Sequence, residues 1–110
     1  MPTPMFRESE SQQVVLATTA EGSTPITMGR SASLAIWVGT LASPTTVTWF
    51  GATQVNGPYY RVIKSDGQAA TTDVTTGSRC YVAPPELFAC PFIKGTSSAA
   101  AITVGVAKKT

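Results

Sequence analysis

The stretch SLAIWVGTLASPTTVTWFG, residues 33–51, decides the fold. Successive side chains of a β-strand point to opposite faces of the sheet, and both halves of this stretch alternate in that way. In the first half, one face has Leu34, Ile36 and Val38, and the other has Ala35 and Trp37. In the second half, one face has Val47 and Trp49, and the other has Thr46, Thr48 and Phe50. Ala-Ser-Pro at residues 42–44 is typical of a turn, so the stretch predicts two strands, each with one face in the core.

The same pattern continues on both sides of this stretch, with turn signals at intervals of about ten residues, as in all-β sandwiches. Asn56-Gly57 favours a hairpin between antiparallel strands, and Asp66-Gly67 repeats that signal. The last run, AAITVGVAKK at residues 100–109, places Ile102, Val104 and Val106 on one face. A single helical turn is expected at residues 85–89, since proline suits its first position. We therefore predict an antiparallel β-sandwich or jelly roll of about eight short strands, with a small closed barrel as the alternative.

The first twelve residues, MPTPMFRESESQ, have two prolines and no apolar periodicity. They predict an extended N-terminal arm over residues 1–12, followed by one sandwich domain over residues 13–110. Met5 and Phe6 are apolar residues in a polar segment, and we expect them to anchor the arm to a neighbouring subunit.

Composition excludes several classes of protein. The 110 residues are 43% apolar and only 13% charged, with 27 threonines and serines, which favours strands over disorder. A net charge of +2 is too small for a nucleic-acid partner. Lys108 and Lys109 are expected to be a solvated tail. No apolar run is long enough to span a membrane and no secretion signal opens the chain, so we expect folding in a cytoplasm.

The chemistry-bearing residues are few. Histidine is absent, and the six acidic residues form no evident pair, so we predict no catalytic, cofactor or metal site and no enzymatic activity. Nine residues separate Cys80 from Cys90, a spacing that matches no zinc or redox motif. The spacing is compatible with a disulfide across the Pro84-Pro85 loop and also with two buried free thiols. Free thiols are the favoured state in a cytoplasmic protein.

Two interpretations apply to the aromatic residues Trp37, Trp49, Phe50, Tyr59 and Tyr60. Flat aromatic faces stack on sugar rings in carbohydrate-binding sandwiches, but residues in alternating strands belong more often to a core or a subunit interface. Tyr59 and Tyr60 follow the Asn56-Gly57 turn, and consecutive strand residues face opposite ways. At least one of this pair is therefore expected at the surface, as a partner contact.

Residues 29–108 resemble the small structural proteins of tailed-phage particles, in particular capsid decoration (cement) proteins. The resemblance lies in ASLAIWVGTL, TTVTWFGATQ, NGPYYRV, KSDG and CYVAPPELFACPFIKGTSSAAAITVGVAKK. It implies a non-enzymatic virion protein, made in the host cytoplasm, that forms a homotrimer and bridges major capsid protein subunits at the capsid surface. Met5, Phe6 and Arg7 would then anchor the arm on the shell.

Two alternatives remain. One is a carbohydrate- or receptor-binding module at a tail or fibre tip, and the other is a subunit of a tail tube or baseplate. A cement protein binds assembled shells, a binding module retains glycan affinity in isolation, and a tail subunit forms rings.

Overall fold

The computed structural model describes residues 9–29, 31, 33–41 and 43–109, which fold into two antiparallel β-sheets packed face to face. The described residues contain nine strands. These are β1 (Ser9–Leu16), β2 (Ile26–Thr27), β3 (Ser33–Val38), β4 (Thr45–Ala52), β5 (Tyr60–Arg61), β6 (Thr71–Val74), β7 (Arg79–Val82), β8 (Phe92–Ser97) and β9 (Ile102–Lys109). A 3₁₀ helix at Pro85–Ala89 forms where the sequence predicts one helical turn.

The first sheet, here sheet A, has the strand order β1-β9-β3-β7. The second, sheet B, has the order β2-β8-β4-β5, and β6 pairs with the same strand β4. The predicted all-β antiparallel sandwich is thus confirmed. The strand order was not predictable from the sequence, since residues far apart in the chain, as in β1 and β9, pair along the sheets.

The core lies between the two sheets, and the alternation of apolar residues explains which side chains fill it. The predicted inward faces of β3 and β9 are confirmed. Their buried residues are Leu34, Ile36, Val38, Val104 and Val106. From sheet B, Val47 and Trp49 are both fully buried in the same cluster. Small Gly95 on β8 makes room for the indole, because a Cβ there would lie 3.0 Å from Trp49.

Strands β5 and β6 share one edge of β4 and are separated by a small hairpin. The backbone N–H of Val62 donates to the carbonyl of Trp49, and the N–H of Trp49 donates to the carbonyl of Ala70, both at 3.0 Å. The chain between Val62 and Ala70 folds back on itself through the predicted Asp66-Gly67 turn, where Gly67 has a φ of +86°. The run YYRVIK is therefore a short strand followed by a hairpin arm.

Two predictions at the ends of the chain are wrong. Strand β1 begins at Ser9, so residues 9–12 belong to the sheet rather than to the arm, because β9 continues to Lys109 and provides pairing partners. Lys108 is buried within β9, not solvated in a tail, and its ammonium donates to the backbone carbonyl of Thr27. Strand β1, which has no apolar alternation over its first residues, therefore depends on backbone pairing.

Candidate interaction surfaces

The loop after β4 positions the two predicted tyrosines. The N–H of Gly57 donates to the carbonyl of Gln54 at 2.9 Å, and Gly57 has a φ of +84°, a conformation that suits glycine. The predicted hairpin is confirmed, because β4 and β5 pair antiparallel on either side of this loop. The hydroxyl of Tyr59 donates to the carbonyl of Val55 at 2.8 Å, which fixes the ring against the loop.

The two tyrosines have different environments. Tyr60 is 70% exposed, whereas Tyr59 is partly buried. The ammonium of Lys94 lies 4.5 Å from the centroid of the Tyr59 ring. Burial raises the pKa of the Tyr59 phenol above its ordinary value. Tyr60 is therefore the member of the pair whose ring is available to a partner.

A row of three side chains crosses the outer face of sheet B. Phe50 on β4 is directly opposite Lys94 on β8 and Arg61 on β5. The Arg61 guanidinium carbon lies 5.9 Å from the centroid of the Phe50 ring. The ion pair found among the described side chains joins the Lys64 ammonium to a carboxylate oxygen of Asp66, 3.7 Å away. Aromatic rings, rather than carboxylates, therefore hold Arg61 and Lys94, and we call Lys94, Phe50 and Arg61 the cationic row.

A pocket of about 350 Å³ opens beside this row at the end of β4. Its lining includes Tyr60, Pro58, Val62, Cys90, Pro91 and Arg61. Gly51 is essential to its shape, because a Cβ at this position would lie 2.6 Å from the Cys90 sulfur. We call this the Tyr60 pocket; it is mainly apolar, and it shares Arg61 with the cationic row.

The outer face of sheet A is different. Trp37 is 50% exposed and its strand neighbours are Gly105 on one side and Cys80 on the other. Val82, one row away, is 74% exposed. Around them are Gln13, Val15, Ala35, Thr103 and Ala107. The side chains named here form what we call the Trp37 face and are uncharged, and Arg79 lies at its border, where it lines a pocket with Trp37 and Cys80.

Both cysteines are free thiols. Cys80 is exposed, so the prediction of a buried thiol is wrong for it; as a strand neighbour of Trp37 it points out of sheet A. Cys90 is half-buried against Gly51 of sheet B, and burial raises the pKa of its thiol. The remaining predicted contacts, Met5, Phe6 and Arg7, lie outside the described residues.

Sequence reasoning missed the cationic row. Phe50, Arg61 and Lys94 come from three separate segments, and they meet because β8 and β5 pair with opposite edges of β4. Trp49 was among the residues considered for a sugar platform, but it is fully buried. The sequence signal for the burial of Trp49 was the alternation that places it on the same strand face as Val47.

No group of three or more metal-binding side chains occurs in the part of the chain that the structure describes. Within the same residues, no helix has the length and apolar character needed to cross a membrane.

Comparisons with known proteins give one structural likeness. No protein-family model matches the sequence, and no curated protein matches it either. The fold is similar to the crystal structure of SPBc2 prophage-derived protein YomS, with a TM-score of 0.59 and 10% sequence identity over 100% of both chains. At this identity the likeness shows a shared fold, and that fold occurs in a prophage-derived protein.

Proposed function

We propose that this protein is a non-enzymatic structural protein of a phage virion, of the capsid decoration type. The observation that carries the proposal is the Trp37 face: a group of uncharged side chains on the outer face of sheet A, with a half-exposed indole beside glycine and alanine. Exposed apolar patches of this kind mark contacts with other proteins. The fold of a prophage-derived protein, shared over the whole chain, supports the same role.

The strand order also supports it. If β5 and β6 count as one interrupted strand, each sheet has four strands, and consecutive strands alternate between the sheets for most of the chain. We interpret this order as a jelly roll, an architecture used by viral capsid and lectin domains.

The mechanism would be multivalent attachment. Four strands spaced about 4.8 Å apart and about five residues long give the Trp37 face an area of only about 300 Å². Stable interfaces bury about 800 Å² per partner, so one such contact is weak. A homotrimer bridging several major capsid protein subunits gains affinity through effective concentration, and weak contacts then suffice.

The test is cosedimentation of the purified protein with empty heads of the phage that carries its gene, together with its mass by light scattering. A trimer that sediments with heads, and not with isolated capsid subunits, is the expected result. A protein that stays in the supernatant at high concentration would overturn the decoration role.

A second candidate is a carbohydrate-binding module, favoured by the 70% exposed ring of Tyr60 beside the Tyr60 pocket. This role requires the isolated protein to bind glycans and to lose that binding in Tyr60→Ala without unfolding. Binding to a glycan array in the absence of heads would favour it over the decoration role.

A further inference from the structure

We infer that the cationic row and the Tyr60 pocket together form a docking site for an acidic segment of a partner protein, with an apolar side chain of that segment in the pocket. This site is on the opposite sheet from the Trp37 face, so it does not depend on the contact proposed above for that face.

The charge of the row selects an anionic partner. Arg61 and Lys94 have no carboxylate partner among the described side chains, and each lies against an aromatic ring. The rings restrain the two cations without neutralising them. Their Cα atoms are two strand spacings apart, about 10 Å, a distance that the long side chains of two glutamates on one face of an extended segment can bridge.

The face as a whole favours a short acidic segment over a nucleic acid. Further along β4 the outer face changes to threonine, and Asp73 accepts a hydrogen bond from the Thr46 hydroxyl at 3.3 Å. A surface that binds nucleic acid has many lysine and arginine side chains along the path of the phosphate backbone. A phosphate backbone extended along this face would instead pass from two cations to a carboxylate. Among the described side chains of this face, the end with Arg61 and Lys94 is the one that offers an anion site.

The pocket supplies the apolar part of the contact. Its volume of about 350 Å³ lies at the lower end of the range for ligand sites, and it is large enough for one aromatic side chain. Arg61 is one of the residues that line the pocket. An aromatic residue of the partner segment can therefore enter the pocket while an acidic residue next to it in that segment reaches the Arg61 guanidinium. Anchors of this kind, a ring in a pocket with a charge at the rim, are typical binding hot spots.

The experiment is a fluorescence anisotropy titration at low salt with a labelled peptide that has one phenylalanine between pairs of glutamates. We expect saturable binding that weakens with salt. Arg61→Gln and Lys94→Gln should each reduce affinity about twofold to fivefold, since exposed charge pairs contribute up to about 1 kcal/mol. Tyr60→Ala should reduce it about tenfold.

The matched control is Lys64→Gln, which removes the same charge from a lysine that is paired with Asp66 on the hairpin. Its affinity should equal that of the wild type. An equal loss in this control would mean that net charge alone drives binding, and would overturn the site. So would stronger binding of a labelled oligothymidylate than of the acidic peptide, or no binding of the peptide at all.

A measurement on the unaltered protein locates the site independently of the variants. Backbone NMR shifts should move at Phe50, Tyr60 and Arg61 when the unlabelled peptide is added, and should stay constant at Trp37. Shifts confined to the Trp37 face would contradict the inference and leave the virion role untouched, whereas failure to bind heads would contradict only the virion role.

Discussion

The indole N–H of Trp49 donates a hydrogen bond of 3.0 Å to the hydroxyl of Thr72, inside the sandwich. Trp49 is the largest fully buried side chain, and Thr72 is on β6, the polar strand at the edge of sheet B. The bond satisfies the one polar atom of the indole, and it joins a threonine-rich edge strand to the core. A buried threonine in β6 therefore has a specific structural role.

Replacing Thr72 with valine keeps the shape of the side chain and removes the acceptor. We expect the free energy of unfolding to fall by about 1–3 kcal/mol, because the buried indole N–H is left without a partner. In the Trp49→Phe background the same replacement should have a much smaller effect, since no donor remains. Urea denaturation of the four proteins in this double-mutant cycle gives the coupling, and equal effects of Thr72→Val in both backgrounds would contradict it.

Gly51→Ala should destabilise the protein by about 1–3 kcal/mol, since overpacking forces neighbouring atoms to shift. The new Cβ would lie 2.6 Å from the sulfur of Cys90. The matched control is Gly39→Ala, because no atom lies within 4 Å of a Cβ at that position. Thermal unfolding checks both variants, and a Gly51→Ala protein as stable as the control would show that the pocket floor can move.

The sequence predicted the sandwich because its core strands have strict alternation. Leu34, Ile36 and Val38 on β3 leave no ambiguity about which face is buried, and the same holds for Val104 and Val106 on β9. Alternation fails for β1: its first residues, SESQ, have no apolar side chain, and they form a strand only because β9 extends far enough to pair with them. Pairing of this kind depends on tertiary structure and leaves no local signal.

The candidate site was less predictable for the same reason. Tyr59 and Tyr60 were identified from the turn before them, but Lys94 is far away in sequence and reaches the Tyr59 ring only because β8 and β5 pair with the same strand. Periodicity assigns a residue to a face of its own strand; it does not order the strands. Phe50 was correctly placed opposite Trp49, yet its cationic neighbours required the register of sheet B.

The two thiols should differ in reactivity. Cys80 is exposed, while burial raises the pKa of Cys90 above the ordinary value of a thiol, which lowers the thiolate fraction of Cys90 at a given pH. Because the thiolate is the nucleophile and the Cys80 sulfur is exposed, we expect Cys80 to react faster with an aromatic disulfide reagent at pH 8, and the Cys90 rate to keep rising at more alkaline pH. Cys80→Ser and Cys90→Ser separate the two rates. Absence of any reaction before reductant is added would instead indicate a disulfide.

Trp37→Ser should prevent self-association if the Trp37 face is the contact between subunits. The indole is already half exposed, so its loss should reduce stability by only about 1 kcal/mol. Phe88→Ser is a suitable control, because Phe88 is 55% exposed, close to the 50% of Trp37, but lies on the 3₁₀ helix. Light scattering should give a monomer for Trp37→Ser and the wild-type mass for Phe88→Ser. An unchanged mass for Trp37→Ser would assign the interface to another surface.

Truncation at the N-terminus should have two distinct effects, divided at Ser9. Deleting residues 2–8 removes the segment with Met5, Phe6 and Arg7 and leaves β1 intact, so we expect the fold to be retained while binding to phage heads weakens. Deleting residues 2–12 also removes four residues of β1 that pair with β9, among them Gln12 opposite Val106. Each lost backbone hydrogen bond contributes about 1 kcal/mol, so this longer deletion should destabilise the fold by about 2–4 kcal/mol. Urea denaturation and cosedimentation with heads, measured on both truncations, separate the two effects. Full head binding by the shorter truncation would exclude the arm from attachment, and equal stability of the two would contradict the pairing of residues 9–12 with β9.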